Sequence, residues 1–116
     1  MSTAAVLDHH LAAFGAADVD EVMIDYADEA VFYTPDGPVR GKAAIREAFT
    51  SVFAAVFPRA GTTLEMRQRF AEGEVAYIVW SAETPTARVP IGTDTFVVRS
   101  GKIVVHTFAA HFVPKQ

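Results

Sequence analysis

Residues 91–112 read IGTDTFVVRSGKIVVHTFAAHF, two apolar, β-branched runs on either side of the short segment Arg99-Ser100-Gly101. Such runs joined by a turn predict a β-hairpin of two long strands. Asp94 lies inside the first run. Burying an ionised carboxylate is costly unless it is paired or hydrogen-bonded, so its presence in a core strand needs a physical reason. We expect that reason to be His106 in the second run.

The loop decides whether Asp94 and His106 meet. A two-residue turn at Ser100-Gly101 sets Asp94 opposite Thr107 and turns His106 to the other face, and it requires a positive φ at the serine. A three-residue loop over 99–101, with its glycine left-handed, strains no residue and sets Asp94 directly opposite His106. We therefore favour the three-residue loop.

The composition narrows the class of protein. The chain has 116 residues, 51% of them hydrophobic, and a net charge of −4. We expect one domain over residues 1–116, with a homodimer formed through an apolar sheet face, and no binding to nucleic acid because the basic residues are scattered. The absence of cysteine excludes disulfides, thiolate zinc sites and a cysteine nucleophile.

The N-terminal residues and the apolar runs of the sequence predict neither a targeting segment nor a membrane span. The first residues lack a basic start, and no apolar run reaches the roughly 18 residues of a membrane span. We expect a cytoplasmic protein that does not associate with a membrane. The four histidines do not group with metal-ligand spacing, and no phosphate-binding loop occurs. No metal and no cofactor is therefore expected.

Apolar periodicity predicts the order ααβ, then α, then a β-meander. Asp18 and Glu21 form a capping box for the second helix, whose inner stripe includes Tyr26. The predicted helices run from Ser2 or Thr3 to Phe14, from Asp18 onward, and from Lys42 to about Phe57; the strands are Ala30–Thr34, Thr62–Phe70, Val75–Thr84, Ala87–Val98 and Ile103–Phe112.

The alternation along residues 75–84 assigns side chains to the two sheet faces. Tyr77, Val79 and Ser81 are in phase and are expected on the concave, cavity-facing side. Trp80 is out of phase with them and is expected on the convex side, near a partner chain. Glu83 shares the inward phase, but a rim salt bridge with Arg88 is the favoured role.

Four segments resemble the nuclear transport factor 2-like superfamily: YADEAVF at 26–32, PDGPVRGKAAIRE at 35–47, GTDTF at 92–96 and GKIV at 101–104. Relatives include ketosteroid isomerases, SnoaL-like polyketide cyclases, scytalone dehydratase and limonene epoxide hydrolase. The resemblance spans about residues 6–112. It implies an α+β, cystatin-like cone, with three N-terminal helices packed on a curved mixed or antiparallel β-sheet around a ligand cavity.

The resemblance also implies roles for single residues. Asp94 matches the aspartic acid that ketosteroid isomerases keep protonated to donate a hydrogen bond to an oxyanion. Thr34 stands where those enzymes carry a carboxylate base, and His10 stands in place of their oxyanion tyrosine. Steroid isomerisation is therefore not expected. His106 falls on the cavity-facing side of the last strand.

These observations give a set of site residues with two interpretations. In the first, His106 is the general base or acid, Asp94 orients it or donates a hydrogen bond, and His10 assists. In the second, Asp94 and His106 only satisfy each other in the core. The aromatic residues either line a ligand cavity or are plain core. The residues expected to contact a ligand are Tyr26, Phe32, Thr34, Tyr77, Val79, Ser81, Phe96 and Phe108.

Three functional hypotheses stay open at this point. The first is a cofactor-independent isomerase, cyclase, dehydratase or hydrolase acting on a small, largely apolar carbonyl or hydroxyl compound. The second is a ligand-binding or association domain without catalysis. The third is a structural dimer whose convex sheet face is its only functional surface.

Overall fold

The computed structural model describes residues 1–116 and packs three helices on one six-stranded sheet. This confirms the predicted α+β class and the cone. None of the helices is both long and apolar enough to cross a membrane. The elements are α1 (Thr3–Gly15), α2 (Val19–Ile24), β1 (Tyr26–Thr34), β2 (Gly37–Arg40), α3 (Lys42–Ser51) followed by a π-helix (Val52–Val56), β3 (Thr63–Glu72), β4 (Val75–Glu83), β5 (Ala87–Arg99) and β6 (Lys102–Pro114).

The first two helices begin where side chains cap them. The Ser2 hydroxyl accepts a hydrogen bond from the Ala5 amide, and the Asp18 carboxylate accepts one from the Glu21 amide. Both interactions satisfy backbone donors that the first helical turn leaves free. The predicted helix starts are confirmed. Tyr26, however, is not part of the inner stripe of α2, because it opens strand β1.

The third helix changes its winding before it ends. The amide of Phe57 donates to the carbonyl of Val52 at 2.8 Å, which closes the wider ring of a π-helix. A single α-helix to Phe57 was expected, so the end is correct but the last turn is wound differently. Val52, Val56 and Phe57 all line the internal cavity. Such π turns are frequent at functional sites.

The sheet has the order β2-β1-β6-β5-β4-β3. The pairs from β3 to β6 are antiparallel, as the short connections predict, while β1 and β6 are parallel. The sequence did not predict strand β2, because Gly37 and Pro38 are typical of a turn. Both instead pair with the end of β1, opposite Thr34 and Tyr33.

The turn at the tip of the β5–β6 hairpin is the one that we did not favour. Ser100 and Gly101 have φ values of 52° and 75°, and Arg99 pairs directly with Lys102. This is the two-residue, left-handed turn that matches the twist of paired strands. The expected three-residue loop is therefore wrong.

A β-bulge compensates for that turn. The register shifts between Val97 and Val98, so that Phe96 pairs with His106 and Asp94 pairs with Phe108. One extra residue in β6 restores the face that the short turn alone would reverse. Asp94 and His106 consequently share the concave face as diagonal neighbours, although they are not directly opposite as expected.

The alternation along β4 is opposite to the prediction. Ala76, Ile78, Trp80 and Ala82 are buried, whereas Tyr77, Val79 and Ser81 belong to the other, convex face. Apolar side chains occur on both faces of this strand, so their alternation alone does not identify the inner one.

The predicted rim salt bridge is also wrong. Glu83 and Arg88 are cross-strand neighbours, but the Glu83 carboxylate pairs with the Lys115 ammonium at 2.9 Å. The residue that follows β6 therefore forms the ion pair at this part of the rim.

Candidate functional site

An apolar cavity of about 580 Å³ lies between the helices and the concave face of the sheet. Aliphatic side chains from α1, α3 and the edge strand β3 complete its wall. A cavity of this size and character suits a small organic ligand. Seven of the nine phenylalanines and the one tryptophan line it: Phe14, Phe32, Phe49, Phe57, Phe96, Phe108, Phe112 and Trp80.

Few polar side chains reach this cavity, and none of them is a lysine or an arginine. Thr34 and Asp36 belong to the turn after β1, where the Thr34 hydroxyl donates to the Gly37 carbonyl at 2.9 Å and accepts from the Asp36 amide at 3.2 Å. The remaining polar groups are His10, Asp94 and His106. All three are buried.

A chain of hydrogen bonds converges on Asp94. The indole Nε1 of Trp80 donates to Asp94 Oδ1 at 2.7 Å, and His106 Nε2 lies 2.6 Å from Asp94 Oδ2. The other ring nitrogen of His106, Nδ1, lies 2.7 Å from the hydroxyl of Tyr26. These bonds offset the desolvation of the carboxylate that made Asp94 anomalous in the sequence. The predicted contact between Asp94 and His106 is confirmed.

The direction of the chain follows from Tyr26 and Asp94. Burial, reinforced by the carboxylates of Asp94 and Asp25, raises the pKa of the Tyr26 hydroxyl well above its usual range. The hydroxyl therefore keeps its proton. An ionised Asp94 can only accept from His106 Nε2, which leaves Nδ1 of a neutral His106 to accept a hydrogen bond from the Tyr26 hydroxyl. In the neutral imidazole the ring proton must then lie on Nε2, which donates to Asp94.

His106 is held so that neither ring nitrogen is free. Its ring stacks between Phe32 and Phe96, with ring centroids 4.3 and 4.2 Å away, and only 2% of the residue is exposed. Asp94 is 9% exposed and lines the cavity. Each carboxylate oxygen has a second lone pair beyond the one already used. Among the hydrogen-bonded residues Tyr26, His106 and Asp94, Asp94 is thus the one able to bind a ligand.

His10 adds a polar group that has no partner. Its ring lies 5.0 Å from that of Phe96 and 5.7 Å from that of His106, and Nδ1 is buried without a hydrogen bond. Burial, followed by the nearby His106 and His9, lowers the pKa of His10 to about 3. His10 is therefore neutral at physiological pH. An unpaired buried nitrogen is costly unless a ligand or water binds it.

Trp80 was expected on the convex face but lines the cavity on the concave face, and Gly92 makes this position possible. A Cβ atom at Gly92 would lie 2.3 Å from the indole carbons of Trp80, so only glycine leaves room for the ring. The indole also stacks on Phe108, with centroids 6.3 Å apart. A glycine inside a strand is the sequence signal for such close approach.

The structure thus sorts the predicted site residues into three groups. Tyr26 lies behind His106 and binds it instead of lining the cavity. Tyr77, Val79 and Ser81 do not line the cavity, because they lie on the convex face. The predicted residues that do line it are His10, Phe32, Thr34, Asp94, Phe96, His106 and Phe108.

The sequence matches the family model of the SnoaL-like domain over residues 7–106. The chain therefore belongs to the SnoaL-like domain family, which confirms the resemblance drawn from its motifs. No protein among those with curated descriptions matches it in sequence.

Solved structures share its fold. A protein from Sinorhizobium meliloti, provisionally classed as a polyketide cyclase, is 19% identical with a TM-score of 0.75, over 90% of this chain and 93% of that one. One from Kribbella flavida, provisionally classed as a ketosteroid isomerase, is 15% identical with a TM-score of 0.78, over 98% and 81%. An NTF2-like protein of unknown function from Mesorhizobium loti is 22% identical with a TM-score of 0.78, over 94% and 90%. At these identities the likeness shows the fold alone.

We predict that Gly92→Ala displaces the Trp80 indole and breaks its bond to Asp94. Overpacking of this kind destabilises by about 1–3 kcal/mol. Urea unfolding, followed by the fluorescence of the single tryptophan, measures both the stability and the altered indole environment. Gly15→Ala is the matched control, because a Cβ there meets nothing within 4 Å. An unchanged unfolding midpoint for Gly92→Ala would contradict the close packing.

Proposed function

We propose that the protein is a cofactor-independent acid–base enzyme that acts on a small, uncharged, largely apolar carbonyl or hydroxyl compound. The observation that carries the proposal is the hydrogen-bonded chain from Tyr26 through His106 to Asp94, which ends inside an otherwise apolar cavity. Of the two carboxylates in the lining, Asp94 is buried whereas Asp36 is exposed. The lack of a lysine or arginine in the lining argues against an anionic ligand.

In the proposed reaction, Asp94 takes a proton from the ligand and returns it to another position of the same molecule. The proton comes either from the carbon next to a carbonyl group or from a hydroxyl group of the ligand, and it binds a free lone pair of the Asp94 carboxylate. His106 and Trp80 donate to the two oxygens and hold the carboxylate in place. A ring N–H of neutral His10 then donates to the oxyanion that develops on the ligand.

Because Thr34 stands where ketosteroid isomerases carry a carboxylate base, Asp94 alone exchanges the proton in this proposal. The Thr34 hydroxyl is already bonded within the turn after β1, and it is not a carboxylate base. Isomerisation, intramolecular cyclisation and dehydration balance with this transfer of a proton within one molecule. In hydrolysis Asp94 would instead take the proton from a water molecule that adds to the ligand. The provisional classes of the two structurally similar proteins are consistent with this range.

A second candidate is ligand binding without catalysis. It is favoured by the fact that both ring nitrogens of His106 already have partners within the chain. Under this alternative, Asp94 and His106 only set the shape and polarity of the cavity. The two candidates differ in whether the protein accelerates proton exchange on a bound ketone.

We predict that the protein accelerates the exchange of hydrogen for deuterium beside the carbonyl of β-tetralone in heavy water, and that Asp94→Asn abolishes the acceleration. An asparagine cannot accept the proton, and its amide group meets the His106 N–H as a second donor. General-base catalysis supplies about a hundredfold or more. Proton NMR of the ketone measures the rate, and calorimetry measures binding.

Asp36→Asn is the matched control, since it removes the other carboxylate of the lining. It is expected to keep the exchange rate. Binding of the ketone without accelerated exchange leaves the second candidate standing. Full exchange activity in Asp94→Asn sinks the assignment of Asp94 as the base.

We also propose that the convex sheet face pairs with a second copy of this chain. Phe70, Tyr77, Thr95, Thr107 and Tyr33 form one continuous row across the strands. Phe70 is 58%, Tyr33 42% and Tyr77 37% exposed, and a contiguous exposed patch of this kind marks an interaction site.

We predict a dimer in sedimentation velocity at low micromolar concentration. Tyr77→Glu should dissociate it, because the new charge would be buried in the interface. Ile24→Glu is the control, since Ile24 is exposed on α2 and is not part of the row on the convex face. A stable monomer of the unmodified protein excludes this proposal.

A further inference from the structure

Two neighbouring pairs of residues join the same two segments of the chain. His9 on α1 contacts Asp25, the residue that ends α2, with His9 Nδ1 2.7 Å from Asp25 Oδ2. The next residue on each side forms a second contact, in which the rings of His10 and Tyr26 meet edge to face at 5.9 Å. The first pair lies outside the cavity. In the second pair, His10 lines the cavity and Tyr26 binds His106.

His9 has an acceptor at each ring nitrogen. Nδ1 faces Asp25 Oδ2, and Nε2 lies 2.8 Å from Glu21 Oε2. A neutral imidazole has one N–H, so only the protonated ring donates to both carboxylates at once. The hydrogen bonds from Asp25 and then Glu21 raise the pKa of His9 above its ordinary value of 6.5.

Asp25 connects this contact to the sheet. It is 4% exposed, and its carbonyl accepts a hydrogen bond from the Ile103 amide of β6 at 2.7 Å. Burial raises the pKa of its carboxyl group, against the opposing effects of His9 and Lys102. The ammonium of Lys102 donates to the Ile24 carbonyl at 2.7 Å. The titratable groups that face His9 are therefore Asp25 and Glu21 from α2, with His10 beside it on α1, while Lys102 from β6 acts on Asp25.

We propose that the His9–Asp25–Glu21 cluster is a pH-dependent clamp that positions His10 and Tyr26, so that His9 is a positioning residue for the site. The clamp is closed while His9 carries both ring protons. When it opens, α1 and the start of β1 lose their charged connection one residue away from the two site residues. The relevance of this to activity rests on the proposed function.

The pH window follows from the direction of the His9 shift. A group whose pKa is raised by folding contributes its full stabilisation below the unfolded value, and loses it as pH rises through the raised value. The clamp is thus closed in mildly acid solution and opens above the ordinary histidine pKa. A neutral His9 can still donate its one N–H to the buried carboxylate of Asp25, so deprotonation removes the hydrogen bond to Glu21 and the charge attraction to both carboxylates.

The decisive experiment follows the imidazole nitrogen NMR shifts of His10 and His106 in the ligand-free protein, from about pH 6 to about pH 9. We expect both sets of shifts to change with the midpoint of the His9 titration. His9→Gln should remove that midpoint and leave the two rings insensitive to pH over this range. Asp8→Asn should behave as the unmodified protein, because it breaks a different ion pair of α1, with Arg69.

A ligand measurement completes the test. Calorimetry with β-naphthol, kept below about pH 8 so that the probe stays uncharged, should give about fivefold weaker affinity above the His9 midpoint, and the same weakening at all these pH values in His9→Gln. Asp25→Asn is a second variant that removes the buried charge without changing the size of the side chain.

Two results overturn the clamp. The first is a His9 titration in the unmodified protein that leaves the His10 and His106 shifts unchanged. The second is a midpoint that persists in His9→Gln, because the transition then belongs to the site itself. The first result needs no variant and no ligand, so it decides even if a substitution prevents folding. Failure of β-naphthol to bind would count against the proposed function instead, while the ring shifts still test the clamp.

Discussion

The buried carboxylate of Asp94 is the constraint on which the rest of this structure depends. It is tolerated because Trp80 and His106 donate to its two oxygens, and His106 is in turn fixed by Tyr26. Each of these donors requires something of the fold. Trp80 needs the space above Gly92, and His106 needs the β-bulge that brings it to the concave face. The polar end of the cavity is therefore a consequence of satisfying one carboxylate.

The sequence predicts much of this arrangement, since the alternation and caps of its elements are strong local signals. The helix starts near Ser2 and at Asp18 and the long β5–β6 hairpin follow from residue patterns. Asp94 and His106 meet as expected, but through a turn and a β-bulge that were not expected. The hairpin register was not predicted. The free-energy cost of a positive φ at Ser100 is small compared with the gain from a turn that matches the twist of two long paired strands. The bulge that corrects the register has no local sequence signal.

The inner face of β4 is a different kind of failure. Apolar residues alternate on both of its faces, and a large aromatic side chain suits an interface as well as a core. What decides the orientation is the acceptor that Asp94 offers to the Trp80 indole, and this lies on another strand. The strand β2 was likewise missed because pairing with β1, and not its own composition, makes it a strand. Contacts between distant segments thus decide what local patterns leave open.

The most direct test of the central claim is a crystal structure of the protein grown with saturating β-naphthol. We expect the probe to lie between the phenylalanine rings of the cavity, with its hydroxyl within about 3.2 Å of the Asp94 carboxylate. We also expect the hydrogen bonds from Trp80 and His106 to that carboxylate to be kept. A probe whose hydroxyl faces the turn at Thr34 and Asp36, or a cavity that stays empty of it, would contradict the claim that Asp94 is the group that meets the ligand.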